Sequence, residues 1–212
     1  FYEGEKDTLK TQLALEDYFM AMAQTIDKPV VIVCDRGALD ISTYLPKEMW
    51  EKITSLCNVT NQQLLDRYKI QASRVVRNFP FLMGEGVWMD SDGLSPDDTV
   101  GEVLKHGTLS IGFCGLAECL VALNGKHHGE DEFSQELGLR IVGYIRDYCN
   151  RKSTELSMNV TCLATPAESL AGRLLRSDRE RYGIIKGVTD REYYTNSFHL
   201  DVEKKVNPYD KI

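Results

Sequence analysis

The 212-residue chain is long enough for one large domain or two small ones, and its 42% hydrophobic and 27% charged residues are ordinary for a soluble globular protein. The net charge of −7 argues against a general nucleic-acid or membrane-surface binder, and no apolar run approaches a membrane span. The six cysteines form no C-x-x-C pair, so we expect reduced thiols and a cytoplasmic protein. Because the sequence starts at Phe1 rather than Met, we expect a piece of a longer protein or a processed product.

The first part of the chain predicts a helix–strand–loop–helix unit of the α/β class. Helical spacing of apolar residues covers 8–25, and 30–34 is a continuous apolar run typical of a buried parallel strand. Asp35 and Arg36 follow that strand directly, where α/β proteins place ligand and metal groups. A Walker-B-type aspartate would hold Mg²⁺ there, with Arg36 near phosphates; the plainer alternative is an aspartate that caps the next loop.

Residues 1–57, and especially the segment VVIVCDRGALDISTYLPKEMWEKI, resemble the AAA-type P-loop ATP/GTP-binding proteins of the translocation-defect family. This resemblance implies a nucleotide-binding module that uses Asp35 and Arg36. The phosphate-binding loop G-x-x-x-x-G-K-[ST] is absent from the sequence. Before Gly125 and Lys126, Leu120 occupies the position of the first glycine, and His127 replaces the final Ser or Thr.

The rest of the chain alternates predicted helices and strands, which favours a parallel α/β sheet or barrel. Helices are predicted at 46–57, 58–73, 115–123 and 134–157, and strands at 109–113 and 158–163. His127 and His128 are adjacent, and neighbours in sequence rarely face one metal, so we expect a loop and no metal site. Cys114 is expected to be a small core residue.

The turn after the last predicted strand has the pattern of a helix start. Thr165 is a good N-cap, Pro166 suits the first helical position, and Glu168 completes a capping box. A helix that begins directly behind a strand presents unpaired N–H groups, which favour an anion. The alternative is an ordinary capped helix without a ligand.

Five long segments after residue 62 resemble the anaerobic, class III ribonucleoside-triphosphate reductases, which are glycyl-radical enzymes. These segments are RNFPFLMGEGVW, GEVLKHGTLSIGFCGLAECLVALNGKHHGE, QELGLRIVGYIRD, LATPAESLAGR and GIIKGVTDREYYTNSFH. This resemblance implies part of a ten-stranded α/β barrel around a finger loop. It also implies substrate phosphates at Thr165, Pro166, Ala167, Glu168 and Ser169, and a substrate pocket that includes Asn196, Ser197 and His199.

The resemblance implies nucleotides as partners and, for the whole family, a radical-SAM activating enzyme and a homodimer partner, with no nucleic acid and no membrane. The residues themselves do not indicate a bound cofactor. Binding of a nucleoside triphosphate with Mg²⁺ is possible. The family's glycyl-radical segment, four-cysteine zinc site and thiyl-radical region are not found in the sequence. We therefore expect a fragment that binds nucleotide without reducing it.

The two resemblances meet near residues 57–66, which predicts a P-loop-like domain at 1–60 and a reductase-like domain at 61–212. Three interpretations follow: an inactive but nucleotide-binding reductase fragment, a P-loop-like ATP/GTP-binding module, or a chimeric or designed scaffold without a ligand.

Overall fold

A computed structural model describes residues 47–201 and 204–207. A 3₁₀ turn at Val76–Asn78 accompanies six α-helices and two strands in this part of the chain: α1 (Lys47–Ala72), α2 (Pro80–Gly84), α3 (Gly101–Leu104), β1 (Thr108–Phe113), α4 (Leu116–Asn124), α5 (Glu132–Leu156), β2 (Asn159–Ala164) and α6 (Glu168–Tyr182). The predicted strand at 30–34, the helix over 8–25, Asp35 and Arg36 lie outside the described residues.

The predicted alternation of helices and strands is confirmed in the described residues. Both predicted strands are present and differ from their predicted bounds by one residue. The helices predicted at 46–57 and 58–73 are one continuous helix, α1. The fold is mixed α/β with a small sheet of two parallel strands.

The described residues form two compact units, which we describe separately. The first unit comprises residues 53–112 and 142–163. The second unit includes residues 47–52 and 113–141 and the chain from residue 164 onward.

The strands of the first unit pair in one direction. Thr108 accepts a hydrogen bond from the Asn159 side chain at 2.6 Å, and the hydroxyls of Ser110 and Thr161 lie 3.2 Å apart. Each pair is separated by 51 residues, so a step of two residues on one strand matches a step of two in the same direction on the other. This constant offset is the register of a parallel pair.

The core of the first unit has two hydrophobic clusters. Buried residues of the larger cluster come from α1, β1, α5 and β2: Cys57, Ile111, Tyr148, Cys149 and Val160. The smaller cluster is built around Val76, Met83, Val100 and Val103. The hydroxyl of the core residue Tyr148 donates to Asn58 Oδ1 at 2.7 Å.

In the second unit, α4 is an apolar helix whose ends are fixed by glycines. Gly115 at its N-cap and Gly125 at its C-cap have φ values of +80° and +87°, a region that favours glycine. Helix α5 packs closely on α4, because a Cβ added at Gly138 would lie 3.2 Å from a Leu120 methyl. Leu120 is fully buried at this contact.

Helix α5 begins behind Asp131, which acts as its N-cap. The Ser134 N–H donates to Asp131 Oδ1 at 2.8 Å, and Lys126 pairs with the other carboxylate oxygen at 2.9 Å. The hydrogen bond from Ser134, followed by that from Lys126, lowers the pKa of Asp131 to about 2. The loop that contains His127 and His128 is therefore connected to the start of α5.

Among the described residues, no helix combines the length and apolar character that crossing a membrane requires.

Candidate functional site

A cavity of about 330 Å³ lies in the second unit. One side comes from the first turn of α6, and the other from residues 193–199, which we call the lining segment. The described residues that line the cavity are Glu168, Ala171, Tyr193, Tyr194, Thr195, Asn196 and His199. Its volume is at the lower end of the range for ligand pockets, roughly 300–1,000 Å³.

The turn between β2 and α6 differs from its predicted form. Helix α6 begins at Glu168, its N-cap is Ala167, and no side chain of the cap residue bonds to the helix. The prediction of Thr165 as N-cap and Pro166 as first helical residue is therefore wrong. The acceptor comes instead from a distant residue, because Asn196 Oδ1 accepts the Ala167 N–H at 3.1 Å.

The structure brings together part of the predicted site. Glu168 from the turn and Asn196 and His199 from the lining segment all line the cavity. Ser197 has another role: it is 2% exposed, its φ is +42°, and its carbonyl accepts the Leu116 N–H at 3.4 Å. It therefore connects the lining segment to α4.

The other predicted phosphate-binding residues surround the same turn without lining the cavity. Ala167 is buried and Thr165 is half-buried, whereas Pro166 and Ser169 are exposed. The side chains of this group carry no positive charge. A phosphate at this turn would depend on backbone N–H groups, since the first residues of a helix have N–H groups without a partner in the helix.

A buried charged network lies behind the lining segment. Glu118 of α4 is 1% exposed, and its Oε1 accepts the Thr195 N–H at 3.0 Å and the Thr195 hydroxyl at 2.7 Å. Arg191 donates to the same oxygen at 2.5 Å and to Asp201 Oδ2 at 2.6 Å. Burial opposes the charge on Arg191, but the hydrogen bonds that it donates to Asp201 and Glu118 outweigh this effect and raise the pKa of the guanidinium.

Further hydrogen bonds hold the lining segment on both sides of Thr195. The Gly115 N–H donates to the Thr195 carbonyl at 2.8 Å, and the Tyr194 hydroxyl donates to Asp178 Oδ2 at 2.8 Å. Burial, followed by the bond to Asp178, raises the pKa of Tyr194. His128 Nε2 bonds to the Phe198 carbonyl at 2.8 Å.

The described residues of the cavity wall carry no strongly basic side chain. Among them, Glu168 is acidic, His199 carries an imidazole, and neither Lys nor Arg occurs. An anion beside these residues would meet the negative charge of Glu168 and the partial positive charge of the α6 N-terminus.

The two adjacent histidines bond to their own loop and to the lining segment. His127 Nδ1 accepts the Gly129 N–H at 3.1 Å, which leaves the proton of the neutral ring on Nε2. In the part of the chain that the structure describes, no group of three or more His, Cys, Asp and Glu residues could hold a metal ion.

Cys114 lies beside the lining segment, with its sulfur 3.6 Å from the Thr195 carbonyl. Burial, followed by the nearby Glu118 carboxylate, raises the pKa of the Cys114 thiol. These surroundings favour a protonated, weakly nucleophilic thiol.

The sequence interpretation missed the network behind the wall. Glu118 carried a usable signal, because it is the acidic residue of an otherwise apolar helix, and such a residue needs a partner when it is buried. Arg191 and Thr195 lie within the segment GIIKGVTDREYYTNSFH, which resembles the reductases. However, no local sequence pattern indicates that both residues bond to Glu118.

Comparison with known proteins identifies the family to which this chain belongs. The family model described as anaerobic ribonucleoside-triphosphate reductase matches residues 30–212. The chain therefore belongs to the anaerobic ribonucleoside-triphosphate reductase family.

Individual relatives agree with the family match. The anaerobic ribonucleoside-triphosphate reductase of Haemophilus influenzae is 38% identical over 157 residues, covering 73% of this chain and 22% of the relative. The Escherichia coli protein of the same name is 37% identical over 166 residues, covering 77% and 23%. The phage T4 reductase is 35% identical over 135 residues, covering 63% and 20%. The chain spans about a fifth to a quarter of the length of these relatives.

The comparisons give no support to the P-loop resemblance or to a chimeric origin. The reductase family match begins at residue 30, so it includes the run at 30–34 together with Asp35 and Arg36. It also continues across the expected junction at 57–66, where α1 is one uninterrupted helix. The domain boundary between residues 60 and 61 remains a prediction.

Proposed function

We propose that this chain forms part of the nucleotide-binding wall of an anaerobic ribonucleoside-triphosphate reductase. The observation that carries the proposal is the cavity that places Glu168 of α6 beside Asn196 and His199 of the lining segment. Family membership supports it, since the relatives are named for their action on ribonucleoside triphosphates. Ribonucleotide reduction is the activity we propose for the whole protein to which such a wall contributes.

The phosphates are proposed to bind at the first turn of α6. Glu168 and Ser169 begin this 15-residue helix and are both exposed. Their N–H groups belong to the helix end that has no intrahelical acceptors and a partial positive charge. The Ala167 N–H is already used by Asn196, so it is not a free donor.

The nucleoside part is proposed to occupy the cavity. Asn196 and His199 provide hydrogen-bonding groups, and the half-exposed Tyr193 provides an aromatic surface. Aromatic side chains and a few placed polar groups are the usual means by which small pockets orient a ligand. Glu168 would accept hydrogen bonds from hydroxyl groups or bind a Mg²⁺ that accompanies the phosphates.

The expected affinity is weak, in the high-micromolar range, because the part of the wall that the structure describes offers backbone donors and no lysine or arginine. Such an affinity corresponds to about 5–6 kcal/mol. It should decrease with added salt, since the phosphate contacts are exposed and charge-assisted. Mg²⁺ should strengthen binding by offsetting the charge of Glu168.

Isothermal titration with ribonucleoside triphosphates, with and without Mg²⁺, tests the proposal. Amide NMR during the same titration should show saturable shifts at Glu168, Ser169 and Asn196. Asn196→Ala should weaken binding, whereas Asn150→Ala, at an exposed position of α5, should leave it unchanged. Saturable binding that is equally strong in both variants, or no binding by the unaltered chain, would contradict the proposal.

A further inference from the structure

We propose that Glu118 is a positioning residue of the cavity, which fixes the conformation of the lining segment through Thr195 and Arg191. It lies outside the set of residues that line the cavity, so its effect must pass through a neighbour. The part of this inference that concerns nucleotide affinity rests on the proposed function. The part that concerns the conformation of the lining segment does not.

The first argument is the cost of burying Glu118. Its helix is apolar, and the side chain has almost no contact with water. A carboxylate in such a place is unfavourable unless it is paired and hydrogen-bonded. Oε1 receives three hydrogen bonds, whereas Oε2 is buried without a partner among the described residues. An apolar residue would fill the position at lower cost, so stability alone does not account for a glutamate here.

The second argument is the position at which the network acts. Glu118 accepts the Thr195 N–H, while the Gly115 N–H donates to the Thr195 carbonyl. The peptide groups before and after Thr195 are therefore both held from the α4 side. With both peptide planes fixed, the direction in which the chain enters Asn196 is also fixed.

The third argument is the bond made by the next residue. Asn196 Oδ1 accepts the Ala167 N–H, which joins the lining segment to the start of α6. A displacement of Thr195 would move Asn196 and break this bond. The Ala167 amide is thus a reporter of the geometry that Glu118 maintains, and it can be measured without any ligand.

Arg191 completes the network by bridging Glu118 to Asp201. One guanidinium between two carboxylates leaves an excess negative charge, which the N–H and hydroxyl of Thr195 help to compensate at Glu118. The segment is therefore held by a charge-assisted acceptor. A neutral isostere at position 118 should keep the shape of the site but weaken the hydrogen bonds that it accepts from Thr195 and Arg191.

The test compares Glu118→Gln with Glu180→Gln, the same change at an exposed position of α6. We expect hydrogen exchange of the Ala167 and Thr195 amides to become about tenfold faster in Glu118→Gln, while amides of buried α5 residues such as Cys149 keep their rates. Affinity for ribonucleoside triphosphate should decrease about tenfold in the same variant. Glu180→Gln should change neither quantity.

A second pair of variants covers the case in which Glu118→Gln does not fold. Thr195→Val removes the hydroxyl that bonds to Glu118, and Thr195→Ser retains it. We expect faster exchange at Ala167 in Thr195→Val and near-normal exchange in Thr195→Ser.

The outcomes separate the two proposals. Unchanged Ala167 exchange in Glu118→Gln and Thr195→Val, or a uniform increase across the whole chain, would overturn the positioning role. Faster local exchange in a chain that binds no nucleotide would support the positioning role and reject the proposed function.

Discussion

The side chain of Asn196 accepts the Ala167 N–H at 3.1 Å, so a residue 29 positions downstream caps the start of α6. This bond joins the turn after β2 to the lining segment and places both in the same cavity wall. It also means that one side chain stabilises the helix and shapes the proposed nucleotide site. The two roles can be separated by substitutions that differ in charge.

Asn196→Ala removes the acceptor and leaves the Ala167 N–H unpaired. We expect a loss of about 1 kcal/mol in the free energy of unfolding, as for other helix caps. Asn196→Asp retains an acceptor and adds a negative charge near the helix N-terminus, so stability should be preserved. The same charge should weaken nucleotide binding by about tenfold through repulsion of phosphate.

Urea unfolding measures the stability effects of the Asn196 variants, and isothermal titration measures their affinity. Equal loss of stability in Asn196→Ala and Asn196→Asp would show that the bond to Ala167 does not cap the helix.

Gly125 and Gly143 form a matched pair for backbone strain. A Cβ at either position would meet no atom within 4 Å, but Gly125 has a φ of +87° and Gly143 lies inside α5. Gly125→Ala should therefore destabilise the protein by roughly 1 kcal/mol or more through left-handed backbone strain. Gly143→Ala should stabilise it by up to about 1 kcal/mol through helix propensity. Thermal unfolding of the two variants should shift in opposite directions; a shift in the same direction would contradict this account.

Acid should weaken the fold through His128. Burial lowers the pKa of this imidazole, and the hydrogen bond to the Phe198 carbonyl compensates only partly. Of the nearby charges, His127 lowers the pKa of His128 further and Glu118 raises it. Below about pH 6.5 the unfolded chain binds a proton that the folded chain resists, so stability falls as the pH decreases towards the folded pKa. One such group changes stability by at most about 1.4 kcal/mol per pH unit.

Urea midpoints between pH 7.5 and 5 measure this dependence. His128→Gln keeps a donor for the Phe198 carbonyl but cannot titrate, so its midpoint should vary less with pH. A pH dependence identical to that of the unaltered chain would exclude His128 as its source.

Tyr194 should retain its phenolic proton when exposed tyrosines lose theirs. Burial and the bond to Asp178 both raise the pKa of Tyr194, so a spectrophotometric titration should show it ionising after the exposed tyrosines. Because the unfolded chain ionises first, stability should decrease above about pH 10.

Tyr194→Phe tests the bond to Asp178. Removing this hydrogen bond should lower the free energy of unfolding by about 0.5–1.5 kcal/mol. Tyr182→Phe, at a 60% exposed position, should change the free energy of unfolding little. Burial also raises the pKa of Tyr148, so this tyrosine should still titrate late in Tyr194→Phe. An unchanged number of late-titrating tyrosines in the variant would assign the effect to another residue.

Much of the fold was predictable because local patterns specify it. The segments at 109–113 and 158–163 predicted strands that differ from those observed by one residue, and the helix predicted at 115–123 differs from α4 by one residue at each end. These signals depend on side-chain periodicity and on the backbone freedom of glycine, both of which act over a few residues.

The start of α6 and the network behind the cavity were not predictable in the same way. Thr165, Pro166 and Glu168 satisfy a local capping rule, but the acceptor that caps the helix comes from Asn196. Glu118 bonds to Thr195 across 77 positions of sequence. Contacts at such separations depend on the tertiary fold, and no window of neighbouring residues contains both partners.

The parallel pairing of β1 and β2 also has a consequence for synthesis. In the described part of the chain, β2 is the strand that pairs with β1, and their paired residues are 51 positions apart. A ribosome that adds about 5–20 residues per second needs roughly 3–10 s to make that interval. During that time the hydrogen-bonding edge of β1 that β2 later covers is complete but without its partner. A chaperone or a translation pause that acts on this chain would have its greatest effect between the appearance of Thr108 and that of Ala164.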